Sequence, residues 1–153
     1  MKNIIRVSSL FLALLLSTTG FAGDDNFVSK KSPYSVSNTI ERLQNIVKKK
    51  GITVFKLVDH GAGAKRVGET LRPSQLLIFG NPKTGSPLMR EAPMMGLELP
   101  MKALAWKDDK GQVWLSYLKP SVLQARYNLK NQAVIDKITG ALDAMTSKAV
   151  SKE

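Results

Sequence analysis

LPMKALAWKDDKGQVWLSYL, residues 99–118, decides the fold. Leu99-Pro100 opens a strand that runs to Trp106, Asp108-Asp109-Lys110-Gly111 has the composition of a turn, and Val113 to Leu118 returns. Two such runs joined by a short polar turn form an antiparallel hairpin. Upstream, Leu76-Leu77-Ile78-Phe79 is a continuous apolar run bounded by turn residues, hence a buried strand, and Gly80-Asn81-Pro82-Lys83-Thr84-Gly85 is a tight connection. Residues 86 to 95 then read as a short helix, with Ser86 as its cap and Pro87 at its first position.

Further upstream, Ile40, Leu43, Ile46 and Val47 have helical spacing. Asn38 is placed as N-cap, Glu41 as its capping-box partner and Gly51 as the terminator. Ile52 to Val58 is apolar on both faces and rich in β-branched and aromatic residues, which suits an interior strand. A helix from about Gly61 to Leu71 follows, and Pro73 stops it. Downstream of the hairpin, Pro120 starts a short helix ending near Tyr127. Val134, Ile138, Ala141 and Met145, with Ile135 and Leu142 beside them, mark a long amphipathic helix. These elements predict an α+β fold, a two-layer sandwich in which a small, mostly antiparallel sheet packs against helices.

The N-terminal segment is of another kind. Lys2 and Arg6, the apolar run Leu10 to Leu16 and the small-x-small end Gly20-Phe21-Ala22 make the three-part pattern of a signal peptide over residues 1–22, cleaved after Ala22. Its run is broken by serines and threonines and falls short of the roughly 20 apolar residues of a spanning helix. A periplasmic or secreted protein with no stable membrane anchor after cleavage is therefore expected. Residues 23–32 are polar and aperiodic and read as a flexible tail, with a short strand near Tyr34. Residues 33–150 are expected to form a single domain, a size that buries one core without help.

There is no cysteine in the 153 residues. Thiol catalysis, iron–sulfur clusters and cysteine-ligated zinc are excluded, and stability must come from packing. Losing Lys2 and Arg6 takes the formal charge from +11 to +9, so the mature chain remains strongly basic. In an exported protein that favours anionic lipid, polysaccharide or acidic small molecules over nucleic acid. The one run of three cations, Lys48-Lys49-Lys50, is read as complementing the carbonyl end of a helix.

A family resemblance is carried by motifs in register: Asp59-His60-x-Ala62-Gly63-Ala64; Leu71-Arg72-Pro73-x-x-Leu76-Leu77-Ile78-Phe79-Gly80-Asn81-Pro82-Lys83; Gly85-x-Pro87-Leu88-Met89; Leu97-x-Leu99-Pro100; Val113-Trp114-Leu115-Ser116-Tyr117. Over roughly Ser35 to Tyr127 the chain resembles domain of unknown function family 302 (DUF302). The resemblance implies a compact α+β fold and, for members with a leader, export; it implies no established reaction. Relatives of this kind often have Thr where Ser86 stands and a His-containing segment where Tyr127-Asn128 stands, which puts a two-histidine function in doubt here.

His60 is the sole histidine, placed where a strand hands over to a helix. With Asp59 it invites an acid–base role, set against Asp59 as an N-cap. Gly61 and Gly63 before Lys65-Arg66 suggest a phosphate cradle, but Arg66 occupies the place of the third glycine and no Walker ending follows. Asn81, with Gly80 and Thr84, offers recognition from a loop leaving a buried strand, set against an Asx-turn before Pro82. If His60 and Asn81 leave neighbouring strands at one edge, they share a pocket with Lys65. Met89, Met94, Met95 and Met101 are soft donors for copper(I) or haem, though more often core filling. The leading expectation is a non-enzymatic binding or accessory module of the cell envelope, holding a small anionic ligand near His60, Asn81, Lys65, Gly80 and Thr84. Its alternatives are an enzyme using His60 as acid or base and a copper or haem protein. No resident metal or cofactor is expected, and a homodimer is the assembly considered.

Overall fold

The computed structural model describes residues 25–152, so the leader expected over 1–22 lies outside the described residues. The elements run β1 (Phe27–Ser32), α1 (Val36–Lys49), β2 (Thr53–Asp59), α2 (His60–Arg66), β3 (Ser74–Gly80), α3 (Pro82–Glu91), a 3-10 turn (Pro93–Leu97), β4 (Met101–Lys107), β5 (Val113–Leu118), α4 (Pro120–Tyr127) and α5 (Gln132–Val150). The strands form one sheet in the order β1-β5-β4-β3-β2, and every neighbouring pair is antiparallel. The two-layer α+β expectation holds.

Alternation decides which face of the sheet is covered. Leu77 and Phe79 on β3, Ala103 and Ala105 on β4, and Leu115 and Tyr117 on β5 are buried, while Leu76, Ile78, Leu104, Trp114 and Ser116 between them are partly exposed. Ile40, Leu43 and Val47 of α1 and Ile135, Leu142, Met145 and Ala149 of α5 complete that core. Each large side chain so enclosed contributes on the order of 2 kcal/mol. The 3.6-residue periodicity of the sequence located both helices because each covers the sheet with a single stripe.

Several boundaries moved for identifiable reasons. α1 begins at Val36, not after Asn38, because Ser35 caps it: the Asn38 N–H donates to Ser35 Oγ at 3.2 Å. Gly51 ends the helix as expected, in the left-handed region at φ +67°. α3 begins at Pro82, not near Ser86, since Asn81 Oδ1 accepts from the Lys83 N–H at 3.0 Å and proline is favoured at a first helical position. Pro87 lies inside that helix. α2 stops at Arg66, because Gly68 at φ +81° closes it with Glu69 N donating to Ala64 O at 3.0 Å and Gly68 N to Lys65 O at 3.2 Å.

Two strands correct the sequence reading more seriously. Residues 27–32 are not a loose tail: they form β1, an edge strand paired to β5. Of its inward side chains Val28 is apolar but Lys30 and Ser32 are polar, which hid the strand from hydrophobic periodicity. Lys30 Nζ donates to Asp143 Oδ1 at 2.7 Å and Ser147 Oγ at 2.6 Å on α5, and Ser32 Oγ bonds Thr39 Oγ1 of α1 at 2.7 Å. No strand forms at Tyr34. β2, expected inside the sheet, is its other edge, with Phe55 and Leu57 exposed. Its register shifts between Val54 and Lys56, a bulge of the kind that protects sheet edges.

Candidate functional site

The end of the sheet where β3 finishes and β4 begins is hollow. Gly80 ends β3 beside Pro100; a Cβ at Gly80 would stand 3.3 Å from Pro100 Cβ, and one at Gly85 would stand 3.2 Å from Leu99 Cδ1. The two glycines thus let the start of α3 and the Leu99-Pro100 segment, whose peptide bond is cis, approach each other closely. Between this corner, the Lys50–Ile52 connection and α5 lies a cavity of about 520 Å³. That is within the usual range for small-molecule sites.

The walls grade from apolar to basic. Phe79, Met101, Leu142 and Met145 are buried and form the interior, and Met89, Leu99, Ile138 and Ala141 are half-buried around it. Lys50, Phe55, Asn81 and Lys137 are exposed at the rim, and no carboxylate lines the space. Neither ammonium has an ion-pair partner among the described residues. Asn81 spends its side-chain carbonyl on the α3 cap, the Asx-type role set against recognition in the sequence reading, while its Nδ2 and the Thr84 hydroxyl carry no hydrogen bond among the described residues. Two cations and two neutral polar groups therefore edge an apolar hollow.

The other end of the β2–β3 hairpin is built differently. Asp59 caps α2: Oδ1 accepts from the Ala62 N–H and Oδ2 from Gln75 Nε2, both at 2.8 Å. These bonds, the Ala62 one foremost, hold its carboxyl below the ordinary aspartate range. With both oxygens engaged, Asp59 does not orient His60, which is exposed as the first residue of α2. The phosphate cradle fails for the same reason: a carboxylate already sits on the α2 N-terminus where the anion would bind. Among the described residues no group of three or more histidine or acidic side chains could hold a metal.

His60 and Asn81 do leave neighbouring strands, but not at the same edge. Thr53 pairs with Gly80 and Asp59 with Gln75, so antiparallel pairing places the two residues at opposite ends of a seven-residue strand. At about 3.3 Å per residue this separates them by roughly 20 Å. The expected shared pocket is thereby corrected: Gly80, Asn81 and Thr84 come together at the cavity, whereas His60, Asp59 and Lys65 stand at the far end. The methionines divide as well. Met89 and Met101 line the cavity, Met95 is buried in the core and Met94 is 60% exposed. Sequence reasoning missed Lys50, Lys137 and the α5 wall. Lys50 closed a charge run ascribed to a helix end, and Lys137 lies between the apolar positions that marked the last helix and was not singled out.

A crystal structure of an uncharacterized conserved protein DUF302 from Bacillus stearothermophilus is similar at TM-score 0.67 and 20% identity, over 82% of this chain and 96% of that one. That likeness shows the fold. Curated relatives are a Fluoride-specific ion channel FluC 1 of Brucella suis biovar 1 (strain 1330) and a Fluoride-specific ion channel FluC 2 of Brucella melitensis biotype 1, each 47% identical over 106 residues and 69% of this chain. The matches take in 42% and 39% of those proteins, so the chain spans about two-fifths of the length of the curated relatives it matches. The family model for the domain of unknown function DUF302 matches residues 28–145, the span from β1 to α5 that builds both the sheet and the cavity, and the chain belongs to that family.

Proposed function

We propose that this protein is a binding module that holds a small organic anion with an apolar body in the cavity between the β3–α3 corner and α5. One observation carries the proposal: a hollow of about 520 Å³ whose interior is apolar and whose rim bears Lys50 and Lys137 with no carboxylate. Apolar burial supplies affinity, and the two ammonium groups with Asn81 and Thr84 favour a carboxylate or phosphate head. Export through the leader at residues 1–22 and a place in the cell envelope belong to the same proposal.

The test uses 8-anilinonaphthalene-1-sulfonate, an apolar organic anion that fluoresces when enclosed. Saturable binding by the wild type, displaced by a medium-chain carboxylate but not by the matching alcohol, is expected. Ala141→Trp, which fills the cavity, abolishes it. Equal binding by that variant and the wild type overturns the proposal. A second reading, copper(I) binding, is favoured only by the thioethers of Met89, Met101 and Met145 sharing the cavity wall. Competition with a chromogenic copper(I) chelator decides it, since a protein that removes no copper from the chelator is not a copper site.

A further inference from the structure

The last turn of α2 and the connection from it to β3 have a composition that binding in the cavity does not use. Residues 65–72 read Lys65-Arg66-Val67-Gly68-Glu69-Thr70-Leu71-Arg72. Val67 is 75% exposed and Leu71 52% exposed, two aliphatic side chains in water within five residues. They are not loose ends of a frayed helix. Two backbone hydrogen bonds across Gly68, described above, close α2 and fix the chain at Val67. In this motif the residue after the glycine usually returns an apolar contact to the helix. Here that residue is Glu69, exposed, so the helix end lacks that apolar closure, and Val67 stands in solvent beside it.

Three cations, Lys65, Arg66 and Arg72, surround the two aliphatics, against one acid, Glu69. Asp59, next to Arg66, is engaged by Ala62 and Gln75. The β4–β5 turn lies at the same end of the sheet, because Lys107 N donates to Pro73 O at 3.1 Å. Its charges, Lys107, Asp108, Asp109 and Lys110, balance, so that end of the molecule remains net basic. Aliphatic side chains that project into water amid cations suit a surface combining negative charge with an apolar interior. A polyanion such as nucleic acid offers the first without the second. A lipid bilayer with anionic headgroups offers both.

We propose that the 65–72 segment is a membrane-docking loop that seats Val67 and Leu71 at the interface of an anionic bilayer while Lys65, Arg66 and Arg72 meet the headgroups. The cavity lies at the opposite end of the β2–β3 hairpin, so its mouth stays clear of the lipid. The absence of cysteine makes the test direct, because Val67→Cys carries a single environment-sensitive dye. The chain from Gly23 onward, which keeps every described element, is titrated with vesicles of phosphatidylcholine alone and of phosphatidylcholine with phosphatidylglycerol. The dye at position 67 is expected to shift to the blue only with the anionic vesicles. A dye on Lys83→Cys, in α3 at the cavity end, is expected not to shift. Replacing Lys65, Arg66 and Arg72 by Gln should weaken vesicle binding roughly 100-fold, about fivefold per charge. Val67→Ser with Leu71→Ser should weaken it about tenfold. No binding to anionic vesicles, equal shifts at positions 67 and 83, undiminished binding by the serine variant, or a shift with duplex DNA and none with vesicles would each overturn the proposal.

Discussion

The β2–β3 hairpin has two ends, and they divide the properties of a functional site between them. The Asp59–His60 end holds the residues with catalytic credentials: the sole histidine, a carboxylate beside it, two glycines and two cations. It is exposed, and its carboxylate is consumed by a cap. The Gly80–Pro100 end holds mainly apolar and neutral residues, yet it encloses about 520 Å³ and gathers side chains from β3, α3, the Lys50 connection and α5. Residue chemistry singles out the first end, and concavity singles out the second. For recognition of a small molecule the second property counts for more, because affinity grows with the surface that can be withdrawn from water.

The contrast can be attacked first through stability. Leu142→Ala, at a residue 1% exposed that lines the cavity, should cost about 2–5 kcal/mol in urea unfolding. A loss below about 1 kcal/mol would mean that the hollow end is loosely packed and collapses on truncation. Next comes charge at the rim. Lys50→Ala and Lys137→Ala should each weaken 8-anilinonaphthalene-1-sulfonate binding by up to about fivefold, as expected for exposed ion pairs, and the effect should shrink in high salt. Lys65→Ala, at the other end, should leave that affinity unchanged.

Asp59→Ala sharpens the comparison at the polar end. It removes the α2 cap and should cost about 1 kcal/mol, measured by thermal unfolding near pH 7. Because the folded carboxyl titrates below its unfolded value, this stability is fully present above about pH 4 and is lost as the pH falls through the lowered folded pKa. The gap between wild type and variant should therefore close in acid; a gap that persists well below pH 3 would assign the loss to packing. His60→Ala should change stability by less than about 0.5 kcal/mol and leave dye binding intact. A large loss of binding in that variant would join the two ends functionally and undo the contrast.

The sequence made legible whatever periodicity and turn chemistry encode. Ile40, Leu43 and Val47 are buried as their spacing required, and Asp108 to Gly111 turns a hairpin as its composition required, with Asp108 Oδ1 accepting from the Lys110 and Gln112 N–H groups. β1 was not legible, because Lys30 and Ser32 face inward by hydrogen bonding and not by hydrophobicity. The edge position of β2 was hidden by Phe55 and Leu57, apolar residues that the fold leaves in solvent. Of the candidate site, Gly80, Asn81 and Thr84 could be read from one loop. The direction of pairing that parts them from His60 could not, and neither could a cavity wall drawn from Lys50 and Lys137, which are far apart in the chain.

The seating of β1 bears on how the molecule is made. Ser29 meets Ser116 across 87 positions of chain, and Lys30 meets Asp143 across 113. The first of the described strands is thus also one whose partners come late in the chain. Until they meet, the sheet lacks one border, and contacts this distant in the chain are entropically slow to form. Docking of β1 against β5 and α5 is therefore the step that bolts the finished sheet shut.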